Sequence, residues 1–251
     1  MEPAISLQGV RKTYPDGREA VRGVSLEVAP GEVFGFLGPN GAGKTSTIKM
    51  MLGFFPPTAG RVSILGGDPC EPATRRRLGY MPETAWYYGY LTVRELLRFY
   101  GDLCNLSRDV SRRRSEELIR LVSLEDAAAR GTPLKNFSKG MLQRAGIAQA
   151  LLHDPELLIL DEPLTGLDPL ARIQLRDIIR MLKEQGKTVF FSSHELSEAE
   201  LVCDRVAILK DGAVAWCGPV KDMAGDGGGN LERIFLKMIG GGTAPREAAH
   251  A

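Results

Sequence analysis

Long hydrophobic runs are missing from this sequence of 251 residues. A membrane-spanning helix needs about 20 consecutive apolar residues, whereas runs such as Leu157–Leu160 are short, and this one lies between two acidic residues. Excess charge is missing as well, because 32 Lys plus Arg balance 31 Asp plus Glu for a formal charge of +1. The sequence therefore predicts no membrane span and no nucleic-acid partner, since general nucleic-acid binding depends on excess positive charge.

Cysteine is scarce, and its spacing argues against the common metal and disulfide patterns. The four cysteines are Cys70, Cys104, Cys203 and Cys217. They form no C-x-x-C pair and have no histidine at ligand spacing, so we expect neither a zinc site nor a disulfide framework. The N-terminal segment lacks the basic start and apolar middle of a signal peptide, which favours an intracellular chain.

Short β-rich segments alternate with amphipathic ones along most of the chain. Ile5–Val10 and Val24–Val28 alternate apolar and polar residues, as half-buried antiparallel strands do. Glu32–Leu37 and Thr188–Ser192 are instead largely apolar, which is typical of strands covered on both faces. Strands that alternate with helices predict an α/β fold with a mainly parallel sheet, to which the first strands add an N-terminal antiparallel β subdomain.

The middle of the chain has a helical pattern with almost no strand signal. The apolar residues there predict that Glu95–Tyr100, Glu116–Val122 and Leu142–Leu152 belong to three helices, which we interpret as an inserted helical subdomain. The predicted domain covers residues 1–220, with a core of about 1–84 and 157–220 and the helical subdomain at about 85–156. Residues 221–251 are predicted to form a partly disordered C-terminal extension with one short helix near Leu231–Ile239.

Residues 38–45 fit the phosphate-binding pattern G-x-x-x-x-G-K-[ST] between a predicted strand and a predicted helix. Glycines let backbone N–H groups curl around an anion, and the helix N-terminus adds partial positive charge. In this pattern Lys44 reaches the β- and γ-phosphates and the Thr45 hydroxyl ligates Mg²⁺. The sequence therefore predicts a nucleoside triphosphate site, with binding residues Gly38, Pro39, Asn40, Gly41, Ala42, Gly43, Lys44, Thr45 and Ser46.

Two acidic residues follow the predicted strand Leu157–Leu160. In open α/β sheets ligands bind at this carboxyl edge, so Asp161 is predicted to hold the Mg²⁺ shell and Glu162 to polarise an attacking water. His194 ends the next buried strand. A lone histidine there is more often structural, but beside a γ-phosphate it contacts the transferred group and orients the base. Lys44, Glu162 and His194 are the candidate catalytic residues.

The order of these segments resembles the ATP-binding cassette (ABC) family of ATPases over nearly the whole chain. The matching segments are residues 38–45, 137–141 (Phe-Ser-Lys-Gly-Met), 157–162, 166–168 (Gly-Leu-Asp) and His194. The resemblance implies that Tyr14 stacks on adenine and that Glu83 contacts Mg²⁺. It also implies that Ser138 and Gly140 bind the γ-phosphate of a neighbouring subunit's ATP, and that Asp168 lies in the interface loop.

The resemblance implies a P-loop NTPase core that binds and hydrolyses ATP with Mg²⁺. A single chain has no donor on the far side of the γ-phosphate, and a second copy, placed head to tail, supplies Ser138 there. Both halves of this composite site are present, which favours a homodimer. Hydrolysis loosens the pair and moves its partners, implied to be separate integral membrane permease subunits. The chain is therefore expected in the cytoplasm, peripheral on the inner face of the cell membrane.

Two departures from the family's commoner motifs favour export as the direction of transport. Phe137, Lys139 and Met141 replace a leucine, a glycine and a glutamine of the LSGGQ signature, and Glu83 stands where glutamine is usual. A glutamate still ligates Mg²⁺, but when ionised it donates no hydrogen bond. Both departures resemble the ATPase subunits of bacterial ABC-2-type exporters.

Two other functions stay open from the sequence. The first is a soluble ABC-type ATPase that acts on translation or DNA, although a single cassette without a coiled coil or zinc module argues against it. The second is a regulatory subunit that binds ATP without hydrolysing it, against which Glu162 and His194 argue. The transported substrate is also open, because the permease recognises the cargo.

Aromatic and basic clusters are the remaining unusual features. Residues 86–90 hold four aromatics, which either pack the helical subdomain onto the core or line the groove where a membrane subunit docks, since aromatics favour such anchors. The triplets Arg75–Arg77 and Arg112–Arg114 are interpreted as solvated surface ahead of contacts with an acidic partner or lipid headgroups.

Overall fold

The computed structural model of the protein describes residues 2–223. Its β-strands are β1 (Ile5–Thr13), β2 (Glu19–Val28), β3 (Val33–Leu37), β4 (Ala59–Ile64), β5 (Leu78–Met81), β6 (Leu157–Leu160), β7 (Thr188–Ser193), β8 (Arg205–Lys210) and β9 (Ala213–Pro219). Its α-helices are α1 (Lys44–Met51), α2 (Pro72–Arg75), α3 (Val93–Leu103), α4 (Arg108–Leu121), α5 (Glu125–Ala129), α6 (Lys139–Leu151), α7 (Pro169–Glu184), α8 (Leu196–Glu200) and α9 (Val220–Met223). Most of the predicted extension, including the helix near Leu231–Ile239, lies outside the described residues.

Two sheets form the framework. The larger has the strand order β5-β6-β7-β3-β8-β9, and its pairs are parallel except for the antiparallel hairpin β8–β9. The smaller has the order β2-β1-β4 and is antiparallel. The predicted α/β fold with a mainly parallel sheet and an antiparallel β subdomain is confirmed.

The parallel sheet is buried on both faces because its strands are nearly all apolar. Successive residues of β3 point into different cores: Val33 and Leu37 pack with the helices α3 to α7, whereas Phe34 and Phe36 pack with α1 and the antiparallel sheet. This two-sided burial fixes β3, β6 and β7 side by side. Their carboxyl ends, where the predicted site residues lie, therefore meet at one edge.

Helices α3 to α6 follow one another between β5 and β6 and pack together. Helix α4 contains most of the predicted segment Glu116–Val122, but it begins earlier, at Arg108, and ends at Leu121. Ser107 caps it by accepting a hydrogen bond from the Val110 N–H, and its first turns carry arginines outward, so they show no apolar periodicity. Among the described residues no helix is long and apolar enough to cross a bilayer.

Candidate functional site

The phosphate loop joins the carboxyl end of β3 to the start of α1. Gly43 precedes the helix with φ 102°, a left-handed conformation that costs glycine little. A Cβ on Gly43 would lie 2.5 Å from the Ala20 carbonyl oxygen. Glycine is therefore required here both by the backbone conformation and by the close approach of β2.

Lys44 is buried at the base of this loop. Its ammonium donates to the carbonyls of Gly38 (2.6 Å) and Pro39 (3.3 Å) and lies 3.1 Å from Glu162 Oε1. A buried charge needs such partners. The ammonium is thereby held against the carbonyls of the loop, where the pattern places a phosphate.

Glu162, the residue after Asp161 at the end of β6, is held from several sides. The hydroxyl of Thr165 donates to Oε2 at 2.8 Å, and His194 Nδ1 lies 2.8 Å from the same oxygen. Burial raises the pKa of Glu162, but the Thr165 hydrogen bond and the charge of Lys44 outweigh it and hold that pKa below its ordinary value. The carboxylate is therefore ionised at neutral pH.

The backbone of Glu162 is strained, with φ 50°. A non-glycine residue keeps a left-handed conformation only where its surroundings fix it, and such outliers cluster at functional sites. Here its N–H donates to the Ser192 hydroxyl at 2.9 Å, and that hydroxyl donates to Asp161 Oδ1 at 2.6 Å. Ser192 on β7 thus orients both acidic residues.

The pKa of Asp161 is shifted upward, in the direction opposite to that of Glu162. Burial raises its pKa, the Ser192 hydrogen bond opposes this, and the carboxylates of Glu83 and Glu162 raise it further. Burial together with the charges of Asp161 and Glu83 also raises the pKa of Tyr80 to about 12. The predicted metal ligands thus lie in a region of excess negative charge, which a divalent cation would neutralise.

The residues present fit Mg²⁺ bound together with a nucleotide. Within residues 2–223 no group of three or more His, Cys, Asp or Glu could hold a metal by itself. Mg²⁺ is usually bound by one or two carboxylates plus substrate phosphates, and Asp161, Glu83 and the Thr45 hydroxyl match that donor set. Those three residues would hold the ion, which would neutralise charge on the transferred phosphate.

A cavity of about 290 Å³ opens over the phosphate loop. It is lined by Arg18, Ala20, Pro39, Asn40, Gly41, Ala42, Gly43, Lys44, Thr45, Ser46, Glu83, Glu162, Thr165 and His194. The structure therefore brings most of the predicted nucleotide and catalytic residues together. Tyr14 lies beside this cavity, because its hydroxyl is 3.1 Å from Ser46 Oγ and its ring centre 4.9 Å from the Arg18 guanidinium.

Ser138, Gly140 and Asp168 form a separate group that does not line this cavity. Ser138 caps α6 by accepting from the Met141 N–H, and Asp168 caps α7 in the same way. A Cβ on Gly140 would lie 2.8 Å from Ala171 Cβ, so the two helix N-termini pack closely. The predicted γ-phosphate contacts Ser138 and Gly140, and the predicted interface-loop residue Asp168, therefore do not line the chain's own phosphate-loop cavity.

Known proteins are similar to this chain in sequence. The family described as "ABC transporter" matches residues 21–165. An uncharacterized ABC transporter ATP-binding protein of Synechocystis is 46% identical over 83% of this chain and 59% of its own length. The linearmycin resistance ATP-binding protein LnrL of Bacillus subtilis is 35% identical over 90% of this chain and 72% of its own length. The chain belongs to the ABC transporter family.

Solved structures agree with this membership. The ATP-binding subunit of an ABC transporter superposes with a TM-score of 0.82 at 33% identity, covering 94% of this chain and 99% of that one. A Clostridium perfringens protein, cbiO1, described as part of the ABC transporter complex cbiONQ, gives a TM-score of 0.81 at 25% identity, covering 95% and 99%. The predicted family and class of enzyme, an ABC ATPase domain, are confirmed. The chain spans 59% of the length of its Synechocystis relative.

Three residues of the ABC site were not predicted from the sequence. Arg18 lines the cavity, Thr165 bonds Glu162, and Ser192 bonds Asp161. Ser192 directly precedes Ser193 and His194 at the carboxyl end of a buried strand. A hydroxyl in that position could have been predicted as a site residue, because ligands bind at the carboxyl edge of such sheets. Arg18 and Thr165 stand in loops, where their type and spacing carry no such signal.

Proposed function

We propose that the chain is the ATP-hydrolysing motor subunit of an ABC exporter, working as a head-to-tail homodimer on separate membrane permease subunits. The observation that carries the proposal is the Glu162 carboxylate, fixed between Lys44 and His194 at the phosphate-loop cavity. Such an anion beside a phosphate site is suited to activate water. A subunit that binds ATP without hydrolysing it has no need of this arrangement.

Each part of the site has a role in the proposed reaction. The single ammonium of Lys44 already contacts the Gly38 carbonyl and the Glu162 carboxylate. An incoming phosphate would therefore compete with both of them for that ammonium. Glu162, released from that ion pair and still bonded to His194, would then polarise the attacking water. His194 orients the Glu162 carboxylate toward the attacking water and contacts the transferred phosphate.

The pH dependence should report on Glu162. Thr165→Val is expected to move the acid limb of the kcat/KM profile to higher pH, because the lost hydrogen bond no longer lowers the Glu162 pKa. The sign follows from the active form: an ionised base loses activity as the pH falls through its pKa. Steady-state phosphate release from about pH 3 to about pH 8 measures this, because the wild-type limb lies below the ordinary pKa of glutamate. Thr165→Ser, which keeps the hydroxyl, should leave the limb in place, and an unmoved limb in Thr165→Val contradicts the assignment.

A surface for the permease is suggested by exposed aromatics, which we call the aromatic surface: Trp86, Tyr88, Tyr90 and Phe99. Trp86 is 91% exposed, and the rings of Tyr88 and Tyr90 lie 5.8 Å apart. Tyr87 between them is instead mostly buried against α6, where Gly146 leaves room for its hydroxyl. The segment is thus anchored by one aromatic while its neighbours face outward, as interface residues do.

Loss of the aromatic surface should release the permease. The double variant Trp86→Ser and Tyr90→Ser is expected to lower the copurifying membrane protein at least about tenfold, since two interface aromatics commonly contribute more than the ~1.4 kcal/mol that this represents. ATPase activity without permease should be unchanged. The control is Leu201→Ser, another exposed apolar residue outside this surface. Equal recovery of the permease with both variants would place its docking site elsewhere.

The proposed function as a whole is tested by affinity purification from detergent-solubilised membranes of the natural source. A stoichiometric polytopic membrane protein is expected, in line with the description of cbiO1 as part of an ABC transporter complex. Export gains support from the relative named for linearmycin resistance. A location on the inner face of the cell membrane follows from the same partnership. Recovery with ribosomal or DNA-bound proteins alone would instead favour the alternative of an ABC-type ATPase with a non-membrane partner.

A further inference from the structure

A network of ion pairs lies beside the hydrolytic residues. Arg172, in the first turn of α7, bonds three residues through its guanidinium: Glu195, Glu198 and Leu167. Its Nη1 and Nη2 lie 2.5 and 3.1 Å from the two carboxylate oxygens of Glu195, and its Nε donates to the Leu167 carbonyl at 3.1 Å. This is the two-pronged pairing that guanidinium and carboxylate favour. Arg172 therefore fixes Glu195 in position and in orientation.

Glu195 directly follows His194, so its position bears on the imidazole. His194 Nδ1 lies 2.8 Å from Glu162 Oε2, while Nε2 on the other side of the ring lies 3.9 Å from Glu195 Oε1. Glu162 and Glu195 are the carboxylates paired with His194 within the described residues. Arg172 occupies both oxygens of Glu195; without Arg172, Glu195 would attract the imidazole from the side opposite Glu162.

The other end of Arg172 reaches the group around Ser138. Leu167, whose carbonyl accepts from Arg172, and Ala171 both lie against Gly140: a Cβ there would be 3.9 Å from Leu167 Cδ2 and 2.8 Å from Ala171 Cβ. Arg172 therefore contacts the loop under the N-terminus of α6 and also the segment that carries His194. It joins the surface proposed to face a second subunit to the hydrolytic pair.

The neighbouring Arg176 provides a comparison for Arg172, because both arginines pair with Glu198. Arg176 Nη1 lies 3.1 Å from Glu198 Oε2, and Glu198 Oε1 lies 3.2 Å from Arg172. Glu198 is buried and keeps Arg176 as a partner when Arg172 is removed. Contacts with Glu195 and Leu167 belong to Arg172 and not to Arg176. Loss of Arg172 would consequently leave Glu195 as the unpaired acid, next to His194.

We propose that Arg172 is a positioning residue: it holds Glu195 off the imidazole, keeps His194 on Glu162, and links this pair to the loop at Leu167. The proposal rests on the proposed function for its kinetic consequence but not for its structural one. In Arg172→Gln, Glu195 is expected to attract the imidazole and to draw it away from Glu162. Neutralising that competitor with Glu195→Gln should restore the original pairing.

The structural consequence is tested by NMR of the histidine rings without nucleotide. The chain has three histidines, and His194→Ala assigns the signal. Arg172→Gln is expected to shift the ring ¹⁵N resonances of His194, with those of His153 unchanged; Arg176→Gln should leave both in place. Arg172→Gln combined with Glu195→Gln should return the His194 signals toward wild type. A His194 spectrum that Arg172→Gln does not alter, or alters no more than Arg176→Gln does, overturns the proposal.

The kinetic consequence is tested by phosphate release. Arg172→Gln is expected to lower kcat by about 10- to 100-fold, as small displacements of reacting groups do, with KM for ATP within about twofold because the phosphate loop is untouched. Adding Glu195→Gln should recover most of that loss. A further fall in the double variant would show additive structural damage and contradict the proposal. If the wild-type chain releases no phosphate, the proposed function fails, while the NMR result still decides the role of Arg172.

Discussion

Replacing Glu162 with glutamine is expected to reduce steady-state phosphate release by about 10²- to 10⁴-fold, the range that general acid–base groups contribute. The amide keeps the volume of the carboxylate and its hydrogen bond with Thr165, so the phosphate loop should keep its shape. It removes the negative charge that lies 3.1 Å from the Lys44 ammonium. Lys44 is then freer to pair with phosphate, and ATP binding should be retained or become tighter.

Two measurements separate these effects. Phosphate release gives the rate, and equilibrium binding of a fluorescent ATP analogue gives the affinity. Glu156→Gln is the matched control, because Glu156 is an exposed acid paired with Arg77 at the opposite end of β6, and it should change neither quantity. A Glu162→Gln protein that hydrolyses ATP at the wild-type rate would refute the assignment of Glu162 as the base.

Features that a short segment encodes could be predicted from the sequence, whereas features assembled by folding could not. Residues 38–45 carry a complete loop-and-helix pattern, so their structure followed from spacing alone. The strand Leu157–Leu160 has the predicted bounds, because a short apolar run before two acids has few other conformations. By contrast, the part of helix α4 that precedes Glu116 was not predicted, since its cap is a single serine and its exposed arginines give no apolar periodicity.

Contacts between distant segments were beyond the sequence. His194 was predicted to orient the base, but the direct contact, with the imidazole 2.8 Å from the Glu162 carboxylate, was not predicted. That pairing arises because β6 and β7 are adjacent and parallel, which no local pattern states. The same holds for Ser192 and Thr165. Strand order decides which side chains meet, and it is set by burial across the whole sheet.

The second large effect concerns the proposed partner subunit. In a Glu162→Gln background, ATP is expected to drive dimer formation, and adding Ser138→Asp should abolish it. Aspartate caps a helix as well as serine does, so α6 should remain intact. Its charge would, however, face the γ-phosphate of the partner's ATP, where two like charges ~4 Å apart repel by up to ~4 kcal/mol near a protein surface. That corresponds to a loss of about 100-fold or more in affinity at each of two sites.

Light scattering coupled to size-exclusion chromatography, with and without ATP and Mg²⁺, distinguishes the outcomes. Ser107→Asp is the control, because Ser107 caps α4 through the same type of hydrogen bond as Ser138 but is not predicted to meet nucleotide. It should leave the ATP-driven dimer unchanged. Since Ser138 does not line the cavity of its own chain, binding of ATP to the Ser138→Asp monomer should be normal. Loss of ATP binding by that monomer would place Ser138 in its own chain's site and overturn the head-to-tail arrangement.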